Sequence, residues 1–332
     1  MVQKRLLLFL VTILHIFYEN WVPTPSCDVV PGVSNQEIHQ GKVEDDLKVM
    51  MVADLLLSGH ESRSGYLDLH FKDFYFSRFF RVRDVSAKGS ELSRSKWASV
   101  LQEFHSLLGP FLDLPYHVVP GDRDIGECSQ LNDISVNKIT RSFPGLDSAG
   151  CGAFDIGNVN FFSLNSVALL CGDNDLRFSV EKALEREHIE LQTGSGNDSA
   201  GIKIPQYDFS WRENAMSSGS GPVLDGSYGL SQTLPPNATE YIFHALRPRM
   251  VFSAHTQTFS DHTHPDGIRE IVVPAMSWDA GKKPAFVAVT FRRNGTSAIV
   301  SHCKLAGRSH VLLFYISLLF VLVLTVQTTL RS

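Results

Sequence analysis

The sequence predicts an α/β domain in which a mixed sheet is layered against helices. Segments with strand character alternate with segments of helical spacing, and a run of hairpins follows, which is the order of elements expected in layered α/β folds. The 332 residues are 43% hydrophobic and carry a net charge of -5, so an ordinary globular domain is expected. No long basic run occurs, which argues against nucleic acid as the main partner.

The first and last segments are apolar enough to interact with a membrane. The apolar run at 6–18 follows Lys4 and Arg5, and it predicts a signal anchor or signal peptide over 1–22, with retention as an anchor favoured. Residues 311–330 contain no charged side chain, and a helix there would span roughly 30 Å, the thickness of the hydrocarbon layer. A buried core helix and a removed GPI-attachment tail are the alternatives to a transmembrane helix over 311–330.

Charge and modification signals predict that the middle of the chain is lumenal. The positive residues before the first apolar run place the N-terminus in the cytosol. Three glycosylation acceptor sequences begin at Asn197, Asn237 and Asn294, as a lumenal domain would allow. Five cysteines permit disulfides in an oxidising compartment, and their odd number leaves at least one unpaired within the chain. The pairing itself cannot be read from the sequence.

The individual elements follow from apolar periodicity and turn residues. Residues 19–47 are predicted to be a stalk or loop, and the Gly- and Ser-rich stretch at 193–221 is predicted to be a flexible excursion. Strands are predicted at 48–54, 116–120, 249–253, 268–273, 285–291 and 297–304, with a hairpin at 153–164. Helices are predicted at 67–81, 92–108, 178–192 and 239–246.

Acidic and imidazole side chains recur where predicted strands give way to loops. Asp54 ends the first strand, Asp84 is followed by Gly89, Gly-Asp-Arg-Asp occupies 121–124, and His255 follows the strand at 249–253. Taken alone, each is more simply a loop cap, an ordinary turn or a core histidine. Together, carboxylates and imidazoles from several strand ends at one edge of a sheet predict a site for a pair of divalent metals.

His262 and His264 provide a separate metal signal, because they have His-x-His spacing. A plain surface loop is the simpler interpretation of such a pair, and it is the one favoured by the sequence.

The ordered fragments resemble the calcineurin-like metallophosphoesterase superfamily. The resemblance is to the membrane branch that trims ethanolamine phosphate from the mannose of GPI anchors. It rests on three runs: Val-Pro-Gly-Asp-Arg-Asp-Ile-Gly at 119–126, the run at 246–257 that ends in Ser-Ala-His-Thr-Gln, and the segment at 264–278. Together they extend over about residues 48–290, and they imply a metallophosphoesterase-like sheet sandwich flanked by helices, here at 48–304.

The resemblance implies a role for each candidate residue. Asp54 would bind the first of two divalent ions, Asp84 would bridge both, and Asp122 and His255 would bind the second. Arg123 would bind phosphate at the position of the family's catalytic histidine. The implied metal is manganese, and the implied substrate is the glycan of GPI-anchored proteins. The implied location is the endoplasmic reticulum to Golgi membrane, with the catalytic domain in the lumen.

The chain also departs from the family pattern. Leu56, Arg123 and Gln257 stand where the family has histidines, and Arg83 replaces the glycine before Asp84. Two core segments, near 82 and 224, are predicted to be missing, as in an alternatively spliced product. The alternatives to an enzyme are therefore a non-catalytic, membrane-tethered binding protein and an unstable splice product of the same gene.

Overall fold

The computed structural model describes residues 9, 12–13, 25–30, 46–57, 85–86, 89–108, 115–156, 159–171, 175–193, 204–209, 236–254, 257–277, 283–292 and 298–330. The predicted signal anchor at 1–22, the helix at 67–81 and the beginning of a strand near 224 lie outside these residues or almost entirely so.

A four-stranded antiparallel sheet is built from the two ends of the domain. Its strands are β1 (Ser26–Val30), β2 (Leu47–Met51), β9 (Ala285–Phe291) and β10 (Ala298–Lys304), in the order β1-β10-β9-β2. The β9–β10 pair confirms the predicted C-terminal hairpin. Beyond β2 the chain makes two isolated parallel bridges, Ala53 with Ala275 and Leu57 with Ser86. The chain that follows β2 therefore extends beyond the four-stranded sheet and contacts residues 86 and 275.

The second sheet is mixed and has six strands in the order β3-β4-β5-β6-β8-β7. They are β3 (Gly152–Ile156), β4 (Val159–Ser163), β5 (Ile204–Phe209), β6 (Met250–Ser253), β7 (Ser260–Thr263) and β8 (Arg269–Val272). The three inner pairs are parallel and the two outer pairs are antiparallel. The prediction of a mixed sheet is confirmed.

Helices follow the predicted alternation with the strands. They are α1 (Arg94–Leu108), α2 (Asp122–Ile125), α3 (Asp133–Thr140), α4 (Ser166–Leu170), α5 (Asp175–Thr193), α6 (Pro236–Leu246) and α7 (Arg308–Leu330), with a 3-10 turn at Gly89–Glu91. In α1, Trp97, Val100 and Phe104 are buried and recur at the spacing of one helical face. Phe104 meets Phe143 edge to face at 5.4 Å between ring centroids, so this face packs into the core.

The core lies partly between the two sheets. One cluster of buried side chains draws Val49 and Val289 from the four-stranded sheet and Phe252 and Ile271 from the six-stranded sheet. Each such side chain contributes about 1.5–3 kcal/mol on full burial. A second cluster contains the buried faces of the helices, including Phe104. The layered α/β arrangement predicted from the sequence, a sheet sandwich with helices, is confirmed.

Three local predictions are wrong. Residues 26–30 lie in the predicted stalk but form β1, an edge strand whose mostly exposed residues carry little apolar signal. Residues 204–209 lie in the predicted flexible excursion but form β5, between β4 and β6. Residues 116–120 are predicted to be a strand but form no regular element. Val118 and Val119 are buried there, so the apolar pattern reflects packing in the core without strand pairing.

Two disulfides join distant parts of the chain, Cys27 to Cys303 and Cys128 to Cys171. Cys151 is free and buried. Within the described part of the chain, no helix is found to be both long and apolar enough to cross a membrane. The segment at 311–330 is helical, but its predicted transmembrane role is unconfirmed.

Candidate metal centre

The chain leaves β2 through a strained, buried turn that begins at Asp54. Asp54 has a φ of +52° and Leu56 a φ of +53°, and both side chains are buried. A left-handed conformation is tolerated by Asp but costs a branched residue such as Leu more, and strain of this kind is found most often at functional sites. Asp54 Oδ2 is buried and has no hydrogen-bond partner. This oxygen is the single such atom identified among the described residues.

The segments after β2, β6 and β8 meet at one edge of the sheets. The Ala53 carbonyl accepts a hydrogen bond from the Met276 amide at 2.8 Å, and the Gln257 carbonyl accepts one from the Ala275 amide at 3.4 Å. Gln257 also has a left-handed backbone, with a φ of +61°. The first and last sequence motifs are thus linked through 275–276.

The second and third motifs are linked to the same edge through Asp124. The Leu57 amide donates to the Val85 carbonyl at 3.0 Å. The Asp124 carboxylate accepts from the Val85 amide at 3.2 Å, the Ser86 amide at 2.9 Å and Ser86 Oγ at 2.6 Å. Asp124 therefore fixes the two residues that directly follow Asp84, the predicted bridging ligand, in the sequence.

The buried position of Asp124 affects its charge. Burial raises the pKa of the Asp124 carboxyl to about 6, while the donors from Ser86, Gly121 and Val85 oppose this rise. Lys138 reinforces the same region, because its Nζ donates to the Gly89 carbonyl at 2.7 Å and to the Leu92 carbonyl at 3.2 Å. Burial lowers the pKa of Lys138. Asp124 therefore holds residues 85–86, and Lys138 holds residues 89 and 92.

Asp122 and Arg123 occupy the first turn of α2, directly after Gly121. Both side chains are half-buried. Asp84 and His255 lie outside the described residues, although their neighbours Val85 and Ala254 are buried at the same edge. The structure therefore brings together the segments that carry the candidate residues. The assignment of Asp54, Asp84, Asp122 and His255 to metal, and of Arg123 to phosphate, stays a prediction.

The donor set fits a divalent cation only in part. The unpartnered Asp54 Oδ2 suits a cation, because an isolated buried carboxylate oxygen is costly without one. Leu56 cannot bind a metal, and the amide of Gln257 is a weaker ligand than imidazole for transition metals.

Ser86 was not identified from the sequence, since nothing in its local pattern indicates that it pairs with a carboxylate 38 residues away.

Comparisons with known proteins give relatives in animals. No family model matches the chain. Metallophosphoesterase 1 of Rattus norvegicus is 26% identical over 279 aligned residues, which cover 74% of this chain and 69% of the relative. The protein of the same name from Ailuropoda melanoleuca is 25% identical, and its alignment covers 98% of this chain and 87% of the relative. The Metallophosphoesterase 1 homolog of Drosophila melanogaster is 20% identical, with 83% and 80% covered.

Solved structures resemble the chain more weakly. A dimetal phosphatase from Danio rerio aligns with a TM-score of 0.44 and 11% identity, covering 76% of this chain and 98% of that one. GAP50, the anchor in the inner membrane complex of Plasmodium, aligns with a TM-score of 0.42 and 12% identity, covering 78% and 84%. The chain is therefore similar in sequence to proteins named Metallophosphoesterase 1.

Proposed function

We propose that the chain is a metal-dependent phosphodiesterase of the secretory pathway that removes ethanolamine phosphate from the mannose of GPI anchors. The class of phosphoester hydrolases is supported by relatives that are named metallophosphoesterases. The finer substrate is supported by the sequence resemblance described above. Buried Asp54, with an oxygen that lacks a hydrogen-bond partner, is the observation that carries the metal-dependent part of the proposal.

The proposed location is the endoplasmic reticulum to Golgi membrane, with the catalytic domain lumenal. The two disulfides support an oxidising compartment. Attachment to the membrane is proposed to involve 311–330, and the apolar side chains of Leu313 and Phe320 in α7 are 64% and 63% exposed. The GPI-anchored substrate would lie in the same membrane.

Asp54, Asp84, Asp122 and His255 are the residues proposed to hold two divalent ions, with manganese the proposed metal. A bound pair of ions would supply Lewis-acid polarisation of the phosphodiester and a more acidic water. Asp124 would keep the Asp84 backbone in place through the Val85 and Ser86 amides. The buried apolar surroundings of Asp54, including Leu55 and Leu57, would exclude bulk water.

Arg123 would contribute phosphate binding without proton transfer. A guanidinium can donate two parallel hydrogen bonds to phosphate oxygens, but it stays protonated and cannot act as a general acid near neutral pH. General acid–base catalysis is typically worth about 10²–10⁴-fold in rate. The proposed enzyme is therefore slow, with its leaving group protonated by water.

The test is release of ethanolamine phosphate from a synthetic mannose–phosphoethanolamine glycan by the full chain in detergent with Mn²⁺. We expect slow, metal-dependent release that Asp54→Asn abolishes. Asp155→Asn is the matched control, because Asp155 lies on β3 with an exposed side chain and should leave the rate unchanged. A folded full chain that releases nothing, with Mn²⁺ bound or not, would refute the proposal.

A non-catalytic binding protein is the second candidate. It is favoured by Leu56, whose buried apolar side chain occupies a position where the family has a metal ligand. In this case the full chain would be folded, as judged by circular dichroism and resistance to limited proteolysis, and would retain no Mn²⁺ after dialysis. Two retained ions per chain would contradict this candidate.

A further inference from the structure

A second group of potential metal ligands lies on the six-stranded sheet, among residues not used by the predicted two-metal centre. His262 is on β7, His264 directly follows β7, and Glu270 is on β8. His262 and Glu270 are cross-strand partners in the antiparallel register, and His264 is two residues from His262. All three side chains therefore emerge on the same face of the sheet.

The ligand atoms of this group converge. One nitrogen or oxygen from each of His262, His264 and Glu270 lies within 4.8 Å of the others. His264 Nε2 is 2.9 Å from Glu270 Oε2, and the two imidazole centroids are 4.4 Å apart. The Glu270 side chain is 3% exposed and that of His264 is 11% exposed. A carboxylate at this depth requires a charged or hydrogen-bonding partner.

The surrounding residues hold these ligands in position. Ser253 Oγ donates to Glu270 Oε1 at 2.5 Å, which fixes the carboxylate and leaves Oε2 directed at His264. The Phe243 ring from α6 meets the His264 ring edge to face at 5.2 Å. Asp261 and Arg269 form a two-bond ion pair at 3.0 and 2.7 Å, which fixes the β7–β8 register. Such outer-shell support is typical of built metal sites.

We propose that His262, His264 and Glu270 bind one divalent transition metal ion. Two imidazoles and one carboxylate form a three-ligand set that Zn²⁺ accepts, with a fourth position open to water. Imidazole ligands favour zinc over magnesium or calcium. The ion would connect the edge strand β7 to β8. The contact between Phe243 of α6 and the His264 ring would connect the site to the helices. It is distinct from the predicted pair of metals, since none of the three residues belongs to that set.

The competing explanation is that Glu270 and His264 form only a buried hydrogen-bonded pair. Such a pair needs His264 and Glu270 but not His262. The contribution of His262 to metal affinity therefore separates the two explanations, and replacing His262 leaves the buried pair and its Ser253 partner in place.

The test is a titration of the full chain in detergent with Zn²⁺, and separately with Co²⁺ to read the coordination from its visible absorption. The background is the double variant Asp54→Asn with His255→Asn, which removes one ligand of each ion of the predicted two-metal centre. We expect one ion per chain, a Co²⁺ spectrum of four- or five-coordinate type, and a loss of at least roughly 100-fold in affinity on adding His262→Ala. Even the loss of an outer-shell partner typically costs 10–100-fold.

His302→Ala is the matched control, because His302 is a half-buried sheet histidine stacked on Phe259 and lies outside the group. It should leave the affinity unchanged, and circular dichroism should show that every variant is folded. Absence of a bound ion in this double-variant background, or equal affinity with and without His262, would overturn the proposal.

Discussion

Replacing Gly89 with alanine is expected to destabilise the protein, because this glycine allows two backbone segments to approach closely. A Cβ at this position would lie 2.8 Å from the Asp124 carbonyl oxygen and 3.0 Å from Asp124 Cα, and closer still to Ser86 Oγ. Hydrogen bonds hold both the Ser86 side chain and the Gly89 backbone, so neither can shift easily to relieve these contacts. Ser86 Oγ donates to the Asp124 carboxylate, and the Gly89 carbonyl is held by Lys138 Nζ.

The magnitude follows from these contacts. Adding a methyl group to a packed site costs about 1–3 kcal/mol. Displacing the Ser86 hydroxyl from a charged acceptor adds about 1.5–3 kcal/mol. Alanine also lowers the conformational entropy of the unfolded chain, and this stabilises the protein by about 0.4–1 kcal/mol and offsets part of the loss. The expected net loss in the free energy of unfolding is about 2–6 kcal/mol, which lowers Tm by roughly 4–24 °C for a domain of this size.

The assay is thermal and urea denaturation of the full chain in detergent, with Gly307→Ala as the matched control. A Cβ on Gly307 meets nothing nearer than Ser309 Oγ at 4.0 Å, so that variant should be as stable as the wild type. If Gly89→Ala unfolds at the same urea concentration as Gly307→Ala, the proposed close approach of 89 to 124 is wrong.

Three further predictions concern the cysteines and one histidine. Cys27→Ser should lower the free energy of unfolding by about 5 kcal/mol in the chain-entropy model, measured by urea denaturation, since the Cys27–Cys303 bond closes a loop of 276 residues; an unchanged midpoint would contradict this. Cys151 should not react with a thiol reagent at pH 8 until the protein is unfolded, because burial raises the pKa of its thiol to about 12. Burial and the nearby Lys304 charge lower the pKa of His302, so its contribution to stability should be present above pH 6.5 and be lost as the pH falls through the folded-state pKa. His302→Gln should flatten that part of the curve of unfolding free energy against pH.

Much of the fold could be predicted because its central elements bury one regular face. The helices α1 and α5 and the strands β6, β8, β9 and β10 lie close to their predicted positions. The edge strand β1 could not be predicted, since a strand that covers little of the core needs no apolar alternation. The strand β5 was hidden by its Gly- and Ser-rich surroundings. Its position is decided by pairing with β4 and β6, which local sequence does not encode.

Residues of the candidate site could be predicted only where the side chain itself is a common ligand of metal ions or phosphate. Asp54 is a candidate from the sequence because it ends a predicted strand and belongs to an ordered set with Asp84, Gly-Asp-Arg-Asp at 121–124 and His255. Its burial and unpartnered oxygen are consistent with that interpretation. The role of Asp124 in holding 85–86 depends on a contact across 38 residues, which no local pattern reveals. The group at His262 was interpreted as a surface loop. Its third member, Glu270, is brought to it by strand register, and sequence spacing alone did not show this.

The pairing of β1 with β10 has a mechanical consequence for any force applied through the two ends of the domain. Ser26 is the register partner of Lys304, so the segments that precede β1 and follow β10 leave the sheet side by side at the same end. Tension between those segments would load the β1–β10 ladder in the unzipping direction, in which its hydrogen bonds break one after another. The Cys27–Cys303 bond lies one residue inside that end. It therefore blocks the first step of unzipping and makes the junction behave as a single covalent tether.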